Sequence, residues 1–221
     1  MSPNKIVARA REVGLDIISV TDHNMVENSL YANEAGKKCG ITVLFGMELQ
    51  TLEEVHLLAL FDTYDLAFAL QEKIYGLLPD IQNDPDYFGD QVIVNEDDEI
   101  VRFEGRLLLN SAQISIAAAT NWIKNNGGLV IPSHIDSPTF SIISQLGYVP
   151  DDLPFDAFEV RDMKKTVELL PFIMSKHIPF VSFSDAHYLE DIGKRRITLN
   201  LDEPNCFQIS EALKRLTEQL V

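Results

Sequence analysis

Short apolar or β-branched runs alternate with helical stretches along most of this chain, and this alternation restricts the possible folds more than any other feature. The runs that predict strands cover residues 16–21, 41–45, 55–61, 129–131, 156–160, 180–183 and 197–201. Helical periodicity predicts helices over residues 3–13, 27–38, 66–78, 115–125, 167–175 and 210–220. A strand followed by a helix, repeated in this way, favours an α/β fold with a parallel barrel or a doubly wound sheet.

Length and charge narrow the class of protein. The chain has 221 residues, which fits one large α/β domain over residues 1–221. Its 34 acidic and 18 basic residues give a formal net charge of −16, which disfavours a general polyanion-binding surface. The two cysteines, Cys39 and Cys206, form neither a disulfide framework nor a CxxC motif. Because no apolar run is long enough for a membrane helix, the sequence predicts a soluble, cytoplasmic protein with no membrane partner.

Residues 80–106, called here the acidic segment, interrupt the alternation. Between residues 80 and 104 there are nine acidic residues and a single base, Arg102. Residues 91–94 and 99–103 flank the turn-forming run 95–98, which predicts a β-hairpin. The segment lacks the spaced ligands of a calcium-binding loop. We therefore expect an acidic hairpin insertion that protrudes from the domain and supplies no metal ligand.

Metal-ligand residue types collect at the ends of the predicted strands. They are His23, Glu48, His56, His134, Asp185 and His187. A single histidine at a strand end is more often structural, and His177 lies outside the pattern, but a parallel barrel gathers strand ends at one rim. Mixed nitrogen and oxygen donors suit zinc, manganese or iron. The sequence therefore predicts a site for divalent metal ions.

Other chemistries have weaker support in the sequence. Ser133 and Ser184 each precede a histidine or aspartate but lack the glycine-flanked elbow of a serine hydrolase. Lys194 and Arg195 follow the last ligand motif closely and are candidates for contacting an anionic substrate. A solvated basic turn explains these two residues equally well.

The motifs around the candidate ligands resemble those of the PHP (polymerase and histidinol phosphatase) family. They read LDIISVTDHN over 15–24, GME over 46–48, EVHLL over 54–58, PSH over 132–134 and SDAH over 184–187. Five motifs in the same order make the resemblance specific. It implies a distorted (β/α)7 TIM-like barrel that holds up to three metal ions at its C-terminal rim and hydrolyses phosphoesters with a metal-bound hydroxide.

The resemblance also implies a role for each candidate ligand. Glu48 bridges two metals, of which His56 and His134 hold one and Asp185 holds the other. His23 and His187 hold a third. A proton is moved by Asp185 or by a histidine, His134 or His187.

The chain departs from the family pattern at its beginning. Family members open with a strand that carries His-x-His, and no residue before His23 replaces those ligands. A start assigned too far downstream, a shortened chain and natural loss of the strand are all open explanations. We expect fewer than three metals, and either an open barrel or a second copy of the chain covering the gap.

The leading functional hypothesis is a metal-dependent phosphoesterase that acts on a small phosphorylated substrate, a nucleotide or oligonucleotide among them. One alternative is a catalytically impaired metal-binding protein that acts through an interface. A metal-dependent amidohydrolase that cleaves C–N bonds would use similar ligands and is the second alternative.

Overall fold

The computed structural model describes residues 1–173 and 177–218 of the chain. The strands are Ile17–Val20 (β1), Thr42–Gln50 (β2), His56–Phe61 (β3), Val92–Val94 (β4), Ile100–Phe103 (β5), Leu129–Pro132 (β6), Phe158–Glu159 (β7) and Phe180–Val181 (β8). The helices are Pro3–Glu12 (α1), Glu27–Cys39 (α2), Tyr64–Tyr75 (α3), Pro85–Phe88 (α4), Ile116–Asn125 (α5), Ile142–Leu146 (α6), Thr166–Leu169 (α7) and Cys206–Glu218 (α8). No described helix is both long enough and apolar enough to cross a membrane.

The main sheet has four strands in the order β1-β2-β3-β6. β1 pairs with β2 in parallel, but β3 is antiparallel to both β2 and β6. The expectation of a parallel sheet is therefore wrong for β3. The cause is the short connection over residues 51–55, where Thr51 N–H donates to the Val55 carbonyl. A parallel crossover needs a dozen or more residues, and these five allow only a tight reversal.

The described residues form no closed seven-stranded barrel. β7 and β8 make a separate parallel pair, which is joined to the β6 region by hydrogen bonds such as Asp156 N–H to the Val130 carbonyl. The strand predicted over residues 197–201 does not form. Ile197, Leu199 and Leu201 are apolar at every second position because they pack on an apolar cluster without entering a ladder.

Side-chain alternation gives the sheet two different faces. Met47 and Leu57 belong to the largest apolar cluster, which packs against α3 and α5. Leu44 and Leu60 lie on the opposite face, in the cluster that includes α8 residues. Glu48 alternates in step with Leu44, and His56 in step with Leu60, so both side chains lie on this second face, at its polar end.

Helix predictions agree with the structure within a few residues for α1, α2, α3 and α5. The helix predicted over 167–175 is shorter, because α7 ends at Leu169 and a 3₁₀ turn continues to Phe172. Residues 174 and 175 lie outside the described part. α8 begins earlier than predicted, at Cys206, and buries Leu213 as expected, whereas Leu220 lies outside the described residues.

The acidic segment contains the predicted hairpin, formed by antiparallel β4 and β5. Ile93 is buried beneath it, and the Asn28 side chain of α2 caps β4 by accepting from Val94 N–H and donating to the Val92 carbonyl. Arg102 contacts both Glu27 of α2 and Glu104. The hairpin is thus attached to α2, while Ile100 and Phe103 of β5 are exposed. Its status as an insertion, and the second copy of the chain at the sheet edge, stay predictions.

Candidate metal centre

A buried carboxylate lies at the centre of the polar end of the sheet. His23 follows β1 and forms an isolated parallel bridge with Glu48 of β2, while His56 begins β3 and His134 follows β6. The Glu48 carboxylate lies 3.6 Å from His23 Nδ1, 3.3 Å from His56 Nδ1 and 3.6 Å from His134 Nε2. Three segments distant in sequence therefore direct imidazoles at one carboxylate.

Asp185 and His187 complete the group on the other side of the cavity. All six candidate ligands line this cavity, whose volume is about 100 Å³. His187 Nδ1 lies 3.1 Å from the Asp185 carbonyl oxygen and 3.8 Å from Oδ1 of the same residue. The structure therefore brings together all six residues that the strand-end pattern selected, and their roles as ligands stay a prediction.

Local backbone geometry explains how these side chains reach the cavity. His134 and Asp185 both have positive φ, at 33° and 46°, which turns each side chain sharply at its strand end. Glu159 Oε2 accepts the His134 N–H at 2.9 Å and holds that turn. At Gly46, an added Cβ would lie 2.7 Å from the Ala59 carbonyl oxygen and 2.9 Å from Ser19 Oγ. Glycine at this position lets β1, β2 and β3 approach closely just below Glu48.

The imidazole nitrogens have the environment expected of metal ligands. The Nδ1 atoms of His23, His56 and His134 are buried without a hydrogen-bond partner. Donor atoms of His23, Glu48 and His56 all lie within 4.8 Å of one another. Buried polar atoms are nearly always hydrogen-bonded, so several unpaired donors around one carboxylate need another partner. A divalent ion fits this set of nitrogen and oxygen donors.

Burial and the charge of Glu48 act in opposite directions on the histidines. At His134, Glu48 outweighs burial and the pKa is raised. Burial lowers the pKa of His23 despite the nearby Glu48, which favours the neutral imidazole that binds metal. Burial alone would raise the pKa of Glu48, but His134 and His56 outweigh it and hold this pKa well below its usual range. Glu48 is therefore a carboxylate at neutral pH and needs positive charge nearby.

Two charged residues of the site were not selected from the sequence. Glu159 is only 2% exposed, and its Oε1 has no hydrogen-bond partner. Arg161 lines the cavity, and its Nη2 lies 3.4 Å from Asp185 Oδ2. Both residues end the strand predicted over 156–160, so the strand-end rule would have found them if it had been applied to every charged residue type.

The two basic residues predicted to contact substrate lie elsewhere. Lys194 Nζ is 2.6 Å from Asp191 Oδ1, in an exposed ion pair. Arg195 donates from Nε to the Phe183 carbonyl at 2.6 Å and from Nη2 to the Ser184 carbonyl at 2.8 Å. Neither side chain lines the cavity. Arg195 instead fixes the segment that leads to Asp185.

Comparison with known families agrees with this arrangement of residues. The family model described as PHP domain matches residues 1–120, which is more than half of the chain. The chain belongs to the PHP domain family. This assignment agrees with the family resemblance found in the sequence motifs.

Solved structures with the same fold include two microbial proteins. The lesion-specific endonuclease EndoQ from Pyrococcus furiosus matches with a TM-score of 0.66 and 17% identity, over 98% of this chain and 52% of that chain. A candidate metal-dependent phosphoesterase from Bifidobacterium adolescentis matches with a TM-score of 0.58 and 18% identity, over 97% and 91%. At these identities the likeness shows the fold alone.

One curated relative is similar in sequence over a short stretch. The PolC-type DNA polymerase III of Streptococcus mutans is 40% identical over 50 residues. These residues are 23% of this chain and 3% of the polymerase. The chain thus spans a small part of the polymerase and about half of the endonuclease.

Proposed function

We propose that this PHP protein is a metal-dependent phosphoesterase. The observation that carries the proposal is the buried Glu48 carboxylate, which is faced by three imidazoles and lies in one cavity with Asp185, His187 and a guanidinium. Phosphoester hydrolysis by this route requires metal ligands and a cation that binds the phosphate. The cavity has the ligands on one side and the cation on the other.

The proposed metal ligands are the six residues of the cavity: His23, Glu48, His56, His134, Asp185 and His187. Divalent ions held there would supply Lewis acidity and a water of lowered pKa. His56 and His134 hold their side chains on the same side of Glu48, since both approach its Oε1. We assign these two histidines and Glu48 to one ion, because three protein ligands and an open position make a catalytic site.

The other side of the cavity binds and orients the phosphate. Arg161 presents a half-exposed guanidinium whose planar donors match phosphate oxygens in a bidentate manner. We therefore assign substrate binding to Arg161, in the role that the sequence suggested for Lys194 and Arg195. Asp185 lies between Arg161 and His187, and we assign proton transfer to it. His187 Nδ1 is 3.8 Å from Asp185 Oδ1, so a proton passes between them through a water, and the 71% exposed side chain of His187 can release it to solvent.

The substrate that fits best is a small phosphate ester. The net charge of −16 opposes the approach of long nucleic acid, whereas one phosphate needs only the local positive charge of the cavity. The cavity of about 100 Å³ accommodates a phosphate group, and we place the rest of the substrate at the cavity mouth.

The decisive variant is Glu48→Gln, which keeps the shape of the side chain and removes its charge. We expect metal content to fall and hydrolysis of p-nitrophenyl phosphate and bis-p-nitrophenyl phosphate to drop by at least about 100-fold, since a first ligand matters at least as much as its supporting contacts. Metal content is measured by mass spectrometry on protein incubated with manganese or zinc.

Glu34→Gln is the matched control, because Glu34 is a surface residue that forms an exposed ion pair with Lys37. It should retain both metal and activity. Parent protein that binds metal but hydrolyses no ester would favour the catalytically impaired alternative, and cleavage of amides in place of esters would favour the amidohydrolase.

A further inference from the structure

An exposed aromatic side chain stands at the mouth of the candidate active site. Phe140 lines the cavity together with the candidate ligands, and its ring stacks on His56 with centroids 4.8 Å apart and an angle of 8° between the planes. His56 covers one face of the ring, yet Phe140 remains 38% exposed. The ring face opposite His56 is therefore the one that remains for a further stacking partner.

The loop that carries Phe140 is rigidly built. The Phe140 carbonyl accepts His56 N–H at 2.9 Å, and the buried Ser141 hydroxyl donates to the Ser137 carbonyl at 2.7 Å. Phe140 itself has φ of 56°, a left-handed conformation that is costly for a bulky residue. Backbone strain of this kind persists where the surrounding structure enforces it, and it concentrates at functional sites.

The apolar core gives no reason for a phenylalanine at this position. Within the described part of the chain, Phe140 belongs to none of the three apolar clusters or to the residues packed against them. A partly exposed apolar ring in a strained conformation keeps a hydration cost that its contact with His56 does not remove in full. A ligand that covers the ring would remove this cost.

We propose that Phe140 is a stacking platform for a planar ring in the leaving group of the substrate, and that the substrate is an ester of the nucleotide class. This inference rests on the proposed function and deepens it. Arg161 and the candidate metal ligands hold the phosphate within the cavity, and the nucleobase lies at the mouth against the free face of Phe140. A nucleobase is a flat ring with a π-face, and such a ring stacks well on phenylalanine whatever the identity of the base.

The test compares two substrates that share a phosphorylated ribose and differ in the base. Adenosine 5′-monophosphate and ribose 5-phosphate are assayed with the metal-loaded full chain, and the ratio of their kcat/KM values is the measured quantity. The parent protein should prefer the nucleotide. Phe140→Ala should lower this ratio by about tenfold, mainly through KM, as expected for the loss of one stacked base. Phe140→Tyr should preserve the ratio, because it keeps the ring.

Two further measurements separate stacking from a structural role. Phe207→Ala removes another exposed phenylalanine, which does not line the cavity, and should leave the ratio unchanged. Calorimetric binding of adenosine 5′-monophosphate to metal-loaded protein should weaken in Phe140→Ala and persist in Phe140→Tyr, with metal content equal in all variants. Binding is measurable even if nothing is hydrolysed, so failure of the proposed function and failure of the stacking proposal are distinguishable.

Three results would overturn the stacking proposal. The first is a parent protein with no preference for the nucleotide over ribose 5-phosphate. The second is an equal loss for both substrates in Phe140→Ala, which would mean that the ring only supports His56. The third is nucleotide binding that is insensitive to Phe140→Ala.

Discussion

At the scale of single residues, Glu159 is the most unusual group near the candidate metal centre. Burial raises its pKa to about 7, and one of its oxygens lacks a partner while the other holds His134 in its turn. A carboxylic acid whose pKa is higher in the folded state makes the protein less stable as the pH rises. Here the loss occurs between the unfolded-state pKa, about 4.5, and the folded-state pKa, about 7. Without metal, Glu159 should therefore destabilise the protein in mildly alkaline solution.

Glu159→Gln tests this expectation, because it keeps an acceptor for His134 N–H and removes the titrating group. With chelator present, the melting temperature of the variant should rise relative to that of the parent when the pH is changed from 5 to 8. The rise should be roughly 2–4 °C for each kcal/mol of ionisation cost that the substitution removes. Glu34→Gln, on the surface, should show no such pH-dependent difference. A variant whose melting temperature differs from the parent by the same amount at both pH values would contradict the assignment.

The sequence was informative about the ligands and less so about the residues around them. His23, Glu48, His56, His134, Asp185 and His187 could be selected because they share residue type and strand-end position. The sequence does not indicate in the same way which arginine has its side chain free to contact a substrate in the cavity. Arg195 and Arg161 both follow a predicted strand, and only the structure shows that backbone carbonyls occupy the first while the second faces the cavity.

At the scale of elements, Arg102 connects the hairpin of the acidic segment to α2. It contacts Glu27 and Glu104, and the latter is a nearly buried carboxylate. Arg102→Ala should destabilise the protein by about 1–3 kcal/mol, below the cost of breaking a fully buried pair because the arginine is 38% exposed. Denaturant unfolding gives this value, and hydrogen exchange should rise first in β4 and β5.

Lys37→Ala provides a comparison, because Lys37 forms an exposed ion pair with Glu34 within one helix. Its effect should lie within about 0.5 kcal/mol of zero. Unaltered exchange in β4 and β5 of Arg102→Ala would show that the other contacts, those of Ile93 and Asn28 among them, are enough to attach the hairpin.

The sequence predicts the positions of the strands better than it predicts their directions. An apolar run such as β3 has the same composition in a parallel or an antiparallel sheet, so periodicity carries no sign of direction. The length of the connection does indicate the direction, because the five residues between β2 and β3 are too few for a parallel crossover. The run 197–201 shows the converse case, in which alternation reflects packing on a cluster without strand pairing.

At the scale of the whole molecule, the candidate metal centre takes its residues from both sheets. β1, β2, β3 and β6 form one sheet, whereas β7 and β8 form another, and Asp185 follows the second. Ions bound by Glu48 and Asp185 together would cross-link these two parts. The ions would also reduce the repulsion among the Glu48, Glu159 and Asp185 carboxylates. Burial is the largest cause of the raised pKa of Glu159, and this repulsion raises it further.

Metal should therefore stabilise the whole fold. A ligand that binds only the folded state at 100 times its dissociation constant adds about 2.7 kcal/mol, which corresponds to a rise in melting temperature of roughly 5–10 °C for a chain of this size. Differential scanning calorimetry in manganese or zinc, compared with chelator, measures the shift. Glu48→Gln should lose most of it, while Asp97→Asn/Asp98→Asn in the exposed hairpin turn should keep it. A shift that survives in Glu48→Gln and disappears in the hairpin variant would place the stabilising ion on the acidic segment and remove the support for a metal centre at the end of the sheet.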